Sequence, residues 1–458
     1  MKKTLVKSYL RYLLPTIATM ILYSTYTMVD GIFVGQGVGA TGITAVNISM
    51  PYVNFIFAIS ILISIGSLNL VTYQLGKGNK KKADEIFSIA FAISLIGSLA
   101  IAIPSLIFID ELVIFLGASS EVKTLVIDYL SVILIFAPFY VVAYLFEIMV
   151  KADGRPFLAT AFMALSALSN IVLDYIFIFK FGMGVRGAAI ATGIAQLLPA
   201  LAYLAYFISP LARLKFRKFN FKAYIVKEII SYGLPGALNE LSPGFITLLF
   251  NNVIGRLYGI RGLDAYTIIS YVMSFVVNII IGINQASQPL ISFNFGKGDY
   301  KNALRLRKYM VRSAFILSAL MFVVIYLRPK LFIDLFIGDY DGEFLTFTSK
   351  NLRTFSIAFL IMAYNIVNAS FMSAVKNTTY DFYITILRGY VIIGLLIFSL
   401  PWIFSKEIVW HILTISELLT LFVTIFLVRK EEGEIKKFLA RDMRLKYKKD
   451  SKNNPLNP

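Results

Sequence analysis

The chain has 458 residues, of which 58% are hydrophobic and 15% charged, with a net charge of +18. A soluble domain carries about 25% charged residues, so the polar surface is too small for a water-facing shell and lipid must cover most of the protein. The lack of cysteine excludes disulfides, thiolate metal sites and thiol nucleophiles, and the single histidine, His411, removes most imidazole chemistry. The positive charge does not point to nucleic acid, because the bases sit in short loops and in the C-terminal tail, and no basic domain stands apart.

The first seven residues, Met-Lys-Lys-Thr-Leu-Val-Lys, resemble the start of a signal peptide. Pro15 interrupts the apolar run that follows, and no small-residue cleavage pattern appears, so the segment reads as a retained first span. A bilayer core needs roughly 20 apolar residues per helix. The predicted spans are 8–34, 45–75, 85–109, 124–150, 157–180, 186–208, 227–255, 265–294, 308–338, 346–375, 380–402 and 406–430.

Loop charge orients these spans. One set of connections carries Lys77 and Lys80 to Lys82, then Lys151 and Arg155, then Arg213 to Lys218, then Lys297 to Lys308, then Lys376. The N-terminus and the basic tail (Arg441, Arg444, Lys446, Lys448, Lys449) share that side under a twelve-span count. The alternate loops carry Asp110, Glu111, Glu121, Asp264, Asp334, Asp339, Asp341 and Glu343. Both termini are therefore expected on the cytoplasmic face of a multi-pass cell-membrane protein. Trp402 and Trp410 flank an outer turn, where an interfacial aromatic belt is expected.

The second half repeats the first at an offset of 220. Tyr12, Leu14 and Pro15 recur as Tyr232, Leu234 and Pro235; Gly35, Gly39 and Gly42 recur as Gly255, Gly259 and Gly262; Gly76-Lys77-Gly78 recurs as Gly296-Lys297-Gly298. From Tyr12 to Ala83, 20 of 72 positions are identical without a gap, against roughly 5 or 6 by chance. The expected fold is all-α and membrane-integral. It has about twelve helices in two six-helix lobes, related by a pseudo-twofold axis along the membrane normal, an architecture that transporters use around a midplane site. The divisions are an N-lobe (1–208), a basic linker (209–226), a C-lobe (227–430) and a basic tail (431–458).

A carboxylate at the centre of a membrane helix costs about 2.5–3.5 kcal/mol and usually marks function. Asp30 lies in the first span and Asp174 in the fifth, where Asn170 shares its helix face four residues away. Thr192 in the sixth span offers a hydroxyl to the same cavity. Glu240 lies in the seventh span, five residues after Pro235. The repeat partners of Asp30 and Glu240 are Phe250 and Met20, so each acid is particular to one lobe. Glu147 and Lys151 read as a snorkelling surface ion pair, and the many Phe, Tyr and Met residues as lipid-facing or core. Oxygen ligands of this kind suit a hard cation such as Na⁺; the same acids can carry protons instead.

These residues resemble the MATE family of multidrug and toxic-compound extrusion antiporters. The resemblance rests on Pro15, the run Val29-Asp30-Gly31-Ile32-Phe33-Val34-Gly35, Asn170-x-x-x-Asp174 and Gly187-Ala188-Ala189-x-Ala191-Thr192. It rests also on the loop Ala152-Asp153-Gly154-Arg155-Pro156 and on Gly282-Ile283-Asn284-Gln285-x-x-Gln288-Pro289. Gly35-Gln36-Gly37 looks most like a branch of bacterial drug exporters. The resemblance implies two six-helix lobes in a V and outward pumping of amphipathic, often cationic, compounds against Na⁺ or H⁺. No other cofactor is implied, and no feature bears on oligomeric state. It implies a cation site at Asp30, Asn170, Asp174 and Thr192, cargo contacts at Glu240, Asn284 and Gln285, and flexure near Pro15, where a backbone donor is missing. Some branches use an acid in the tenth span; here Ala363-Tyr364-Asn365-Ile366-Val367-Asn368 has none, which argues against a cation site in the C-lobe.

Three alternatives are weighed against export. A flippase for lipid-linked saccharides would line its cavity with bases, whereas the N-lobe spans hold acids. A membrane-embedded enzyme finds no His-x-x-x-His or His-Glu-x-x-His motif. A channel does not explain the twofold repetition as alternating access does.

Overall fold

The computed structural model describes residues 2–336 and 340–452, and every regular element among them is helical. Eleven segments are long and apolar enough to cross a membrane. One of them, Ala223–Gly296, has 74 residues, which at 1.5 Å per residue would exceed about 100 Å, several times a bilayer core. It folds back at Gly259, whose φ of 64° lies in the left-handed region, and counts as two spans. The twelve are α1 (Thr4–Gly37), α2 (Ala40–Gly76), α3 (Lys80–Ile107), α4 (Lys123–Ala152), α5 (Pro156–Lys180), α6 (Gly184–Ile208), α7 (223–258), α8 (260–296), α9 (Tyr300–Leu327), α10 (Gly342–Ala374), α11 (Thr378–Ile403) and α12 (Lys406–Arg441).

The predicted ninth span, 308–338, stops early at Leu327, because Pro329 opens a separate short helix, Pro329–Asp334. Its last residues, 337 and 338, and the loop acid Asp339 lie outside the described residues, as do Met1 and 453–458. The expected tail is a continuation of α12, helical through Lys452.

The repeat is legible in the backbone. Gly39, 220 residues before Gly259, also has positive φ, 89°. Asn79 caps α3 by accepting from Lys82 N at 3.2 Å, and Asp299 caps α9 by accepting from Asn302 N at 3.1 Å. A short helix, Ile109–Phe115, precedes α4 as Pro329–Asp334 precedes α10. A π-helical turn lies in α5 (Tyr175–Lys180) and another in α11 (Leu387–Val391).

Helix α2 is the spine between the lobes, packing along α7 and α8. Side chains 63–72 of α2 and 282–289 of α8 are all buried, so the lobes are sealed on the side of the basic loops. The ammonium groups of Lys77 and Lys376, from two different loops, both lie over the Tyr73 ring at 4.9 and 4.7 Å, which puts those loops on one side. The linker is fastened to the N-lobe. Asp153 accepts from Arg213 N and Leu214 N at 2.9 and 2.8 Å, and Asp84 accepts from Lys215 N at 3.1 Å. Trp402 is exposed, but Trp410 is buried against Tyr258 and Phe347, so only Trp402 fits an aromatic belt.

Candidate functional site

Asn170 and Asp174 face inward from the last α-helical turns of α5, and the π-helical turn begins at the next residue. Such turns recur at functional sites because they re-aim side chains. Packing of α1 along α5 and of α6 along α5 brings Asp30 and Thr192 to the same place. Asn170 Nδ2 donates to Thr192 Oγ1 at 3.4 Å. The Asp30 and Asp174 carboxyl groups are close enough to interact, and Tyr129 lines the same cavity as Asp30.

All four predicted cation-site residues therefore converge. Their acceptors outnumber their donors: Asp30 Oδ1, Asn170 Oδ1 and both oxygens of Asp174 are buried with no hydrogen-bond donor among the described residues. Buried acceptors are nearly always satisfied, so a cluster of orphan oxygens with two carboxylates is suited to a cation or to protons. The donor set is all oxygen, with no sulfur and no imidazole, which fits a hard cation.

The cluster opens onto a cavity in the N-lobe, lined by Asp30, Thr192, Tyr26, Tyr129, Asn54 and Phe136 among others. Tyr23, Phe57, Tyr140 and Gln196 line both this cavity and a second between the lobes, where Glu147, Glu240 and Gln285 meet. Glu240 and Gln285 also line a third, which reaches Asn284, Gln288 and Asp381 in the C-lobe. The three predicted cargo contacts, Glu240, Asn284 and Gln285, all line this third cavity. Pro15 lies inside an unbroken α1. Its carbonyl accepts from Thr19 Oγ1 at 3.1 Å and from Thr160 Oγ1 at 2.8 Å, which ties the first span to α5.

One reading from sequence needs correction here. Glu147 and Lys151 are no snorkelling pair: Lys151 is 1% exposed and Glu147 8%, and the Lys151 ammonium binds Glu147 Oε1 at 2.7 Å and Gln285 Oε1, from the other lobe, at 2.8 Å. Next to the acid-free stretch 346–375, Asn365 Nδ2 donates to Glu417 Oε2 of a neighbouring helix at 2.7 Å, and Arg388 Nε donates to Glu417 Oε1 at 2.7 Å. A subset of the tyrosines, among them Tyr23, Tyr26, Tyr129, Tyr140 and Tyr144, lines the cavities. Hydropathy cannot separate a cavity-lining ring from a lipid-facing one, so no signal in the sequence marked them.

Comparison with known proteins bears on the whole chain. A family model described as MatE matches residues 15–176 and 235–397, one segment in each repeat. The multidrug export protein MepA of Staphylococcus aureus is 25% identical over 425 residues, 92% of this chain and 93% of that protein. A structure described as the outward-facing conformation of a multidrug resistance MATE family transporter of the MOP superfamily superposes with a TM-score of 0.88 at 24% identity, covering 94% of this chain and 96% of that one. A MOP superfamily transporter from Pyrococcus furiosus, described as having a binding pocket of reverse polarity, superposes equally well, with a TM-score of 0.88 at 23% identity over 94% and 96% of the two chains.

Proposed function

The chain belongs to the MatE family of membrane transporters, and from that premise we propose that it exports small amphipathic, cationic compounds across the cell membrane by alternating access, driven by inward Na⁺ or H⁺. The observation that carries this reading is the cluster of orphan oxygens on Asp30, Asn170 and Asp174 beside Thr192, in a cavity that shares Tyr23, Phe57, Tyr140 and Gln196 with the one lined by Glu240. The coupling ion binds at that cluster. Charge taken up there alters how α1 packs on α5, with Pro15 as the flexing point, because its ring removes one backbone donor from the helix.

Loop charge puts the sealed side of the lobes in the cytoplasm, together with both termini, so this conformation faces outward. The lobes, 1–208 and 227–430, rock about the linker. Cargo binds between them from the inside, with Glu240 as counter-ion, Asn284 and Gln285 as polar contacts and tyrosine faces as platforms for an organic cation. The cavity lining supports this cargo over a lipid-linked saccharide: it holds Asp30, Glu147, Glu240 and Asp381, and none of the lining residues is Lys or Arg.

The test is dye efflux from proteoliposomes with Na⁺ and pH gradients imposed separately. One gradient drives efflux of a cationic dye in the parent protein, and Asp30→Asn and Asp174→Asn each abolish it. Full gradient-driven efflux in both variants would overturn the proposal.

A further inference from the structure

The central cavity contains two carboxylates, Glu147 and Glu240, but they are not equivalent. Glu240 has no ion pair among the described residues. Glu147 is held by Lys151 one helical turn away on α4, at 2.7 Å. Two buried charges stay charged together only when they are paired and their remaining donors are met. Here the second acceptor comes from across the lobe interface: Gln285 on α8 takes the Lys151 ammonium at 2.8 Å through Oε1, while its Nε2 donates to Tyr144 Oη, also on α4, at 3.2 Å. Both ends of the Gln285 amide are thus engaged by the face of α4 that carries Glu147, and the ammonium is clamped in place.

We propose that Lys151 is a built-in counter-cation that sets the charge of the cargo: by occupying Glu147 it leaves Glu240 as the one unpaired carboxylate of the central cavity, and so restricts that cavity to compounds bearing a single positive charge. This rests on the export reading above and adds the residue that selects by charge. A second cationic centre on a cargo would enter a cavity whose remaining carboxylate is already neutralised, and would be desolvated with nothing to pair with. Replacing Lys151 by an uncharged side chain of similar length exposes Glu147 and gives a dication two carboxylates.

The experiment is equilibrium binding of tetraphenylphosphonium, a monocation, and decamethonium, a bis-quaternary ammonium, to the purified full-length protein. The parent binds tetraphenylphosphonium the more tightly. Lys151→Met improves decamethonium binding at least about tenfold relative to tetraphenylphosphonium, and Lys151→Met with Glu147→Gln returns the ratio to the parent value, because the exposed carboxylate is gone. An unchanged ratio in Lys151→Met, or a gain that survives in the double variant, overturns the proposal. If Lys151→Met does not fold, Glu147→Gln serves alone. It leaves an uncompensated ammonium and weakens tetraphenylphosphonium at least about tenfold while binding of a neutral dye holds; equal losses for both probes overturn the proposal. Failure of the parent to bind either cation defeats the export reading itself, which separates the two outcomes.

Discussion

Gly76 and Gly296 occupy equivalent positions in the two repeats and meet the opposite lobe at equivalent atoms. A methyl group on Gly76 would lie 2.1 Å from the carbonyl oxygen of Phe293, and one on Gly296 would lie 2.2 Å from that of Tyr73. Phe293 and Tyr73 are themselves 220 residues apart, so the crossing of α2 and α8 has twofold symmetry at the level of single atoms. The contact is backbone against backbone, and rotamer adjustment cannot relieve it.

Gly76→Ala and Gly296→Ala are accordingly expected to push the lobes apart on the basic-loop side. Overpacking of this kind costs about 1–3 kcal/mol, enough to shift the conformational balance by roughly an order of magnitude or more. The parent has no cysteine, so Ser373→Cys gives a single thiol between the lobes, where Ser373 is 1% exposed and accepts from Asn69 Nδ2 at 3.3 Å. A membrane-impermeant maleimide applied from the basic-loop side should label it faster in either alanine variant than in the parent background. Equal labelling rates would mean the glycines do not govern closure.

At the ion cluster, Asn170→Ala should weaken the coupling ion while leaving cargo affinity intact, because Asn170 faces Asp174 and Thr192 and is not among the residues lining the central cavity. Loss of a polar contact to a charge costs about 1.5–3 kcal/mol, or roughly tenfold or more in ion concentration for half-maximal efflux. Titration of efflux against the driving ion, beside direct cargo binding, checks this. Parallel loss of both would indicate a purely structural role.

The buried pair Arg388–Glu417 should behave as scaffold. Its exposures are 7% and 2%, and Glu417 also accepts from Asn365. Removing one partner strands the other charge, so Glu417→Ala is expected to cost about 3–5 kcal/mol, read as a lowered Tm in detergent. Arg388→Met combined with Glu417→Gln should recover most of that loss. A double variant no more stable than Glu417→Ala alone would contradict the assignment.

The linker offers a further check. Asp153 accepts two backbone amides of the linker and Tyr206 Oη, the last at 2.5 Å. Asp153→Ala removes all three at once, and hydrogen bonds to a charged group contribute about 1.5–3 kcal/mol each. Limited trypsin digestion should then cut at Arg217 and Lys218 markedly faster than in the parent. Unchanged cleavage would show that Asp84 and Ser88, which accept from Lys215 N and Arg217 N, suffice to hold the segment.

Much of this protein is written locally in its sequence. Hydropathy over about 20 residues marks a span and loop charge sorts the loops by side, each from a residue and its near neighbours, and an offset of 220 read by comparing the chain with itself announces two equivalent lobes. Asn170 and Asp174 were readable together because four residues along a helix is one face. The relations that only tertiary structure decided join distant segments. Whether Lys151 reaches outward to lipid headgroups or inward to Gln285 depends on where α8 packs, since the same i,i+4 pair with Glu147 forms either way. Likewise Asn365, in a stretch of α10 with no acid of its own, meets Glu417 from α12. A long side chain can turn either way from one backbone position, and the burial that selects its direction is created by helices more than a hundred residues away.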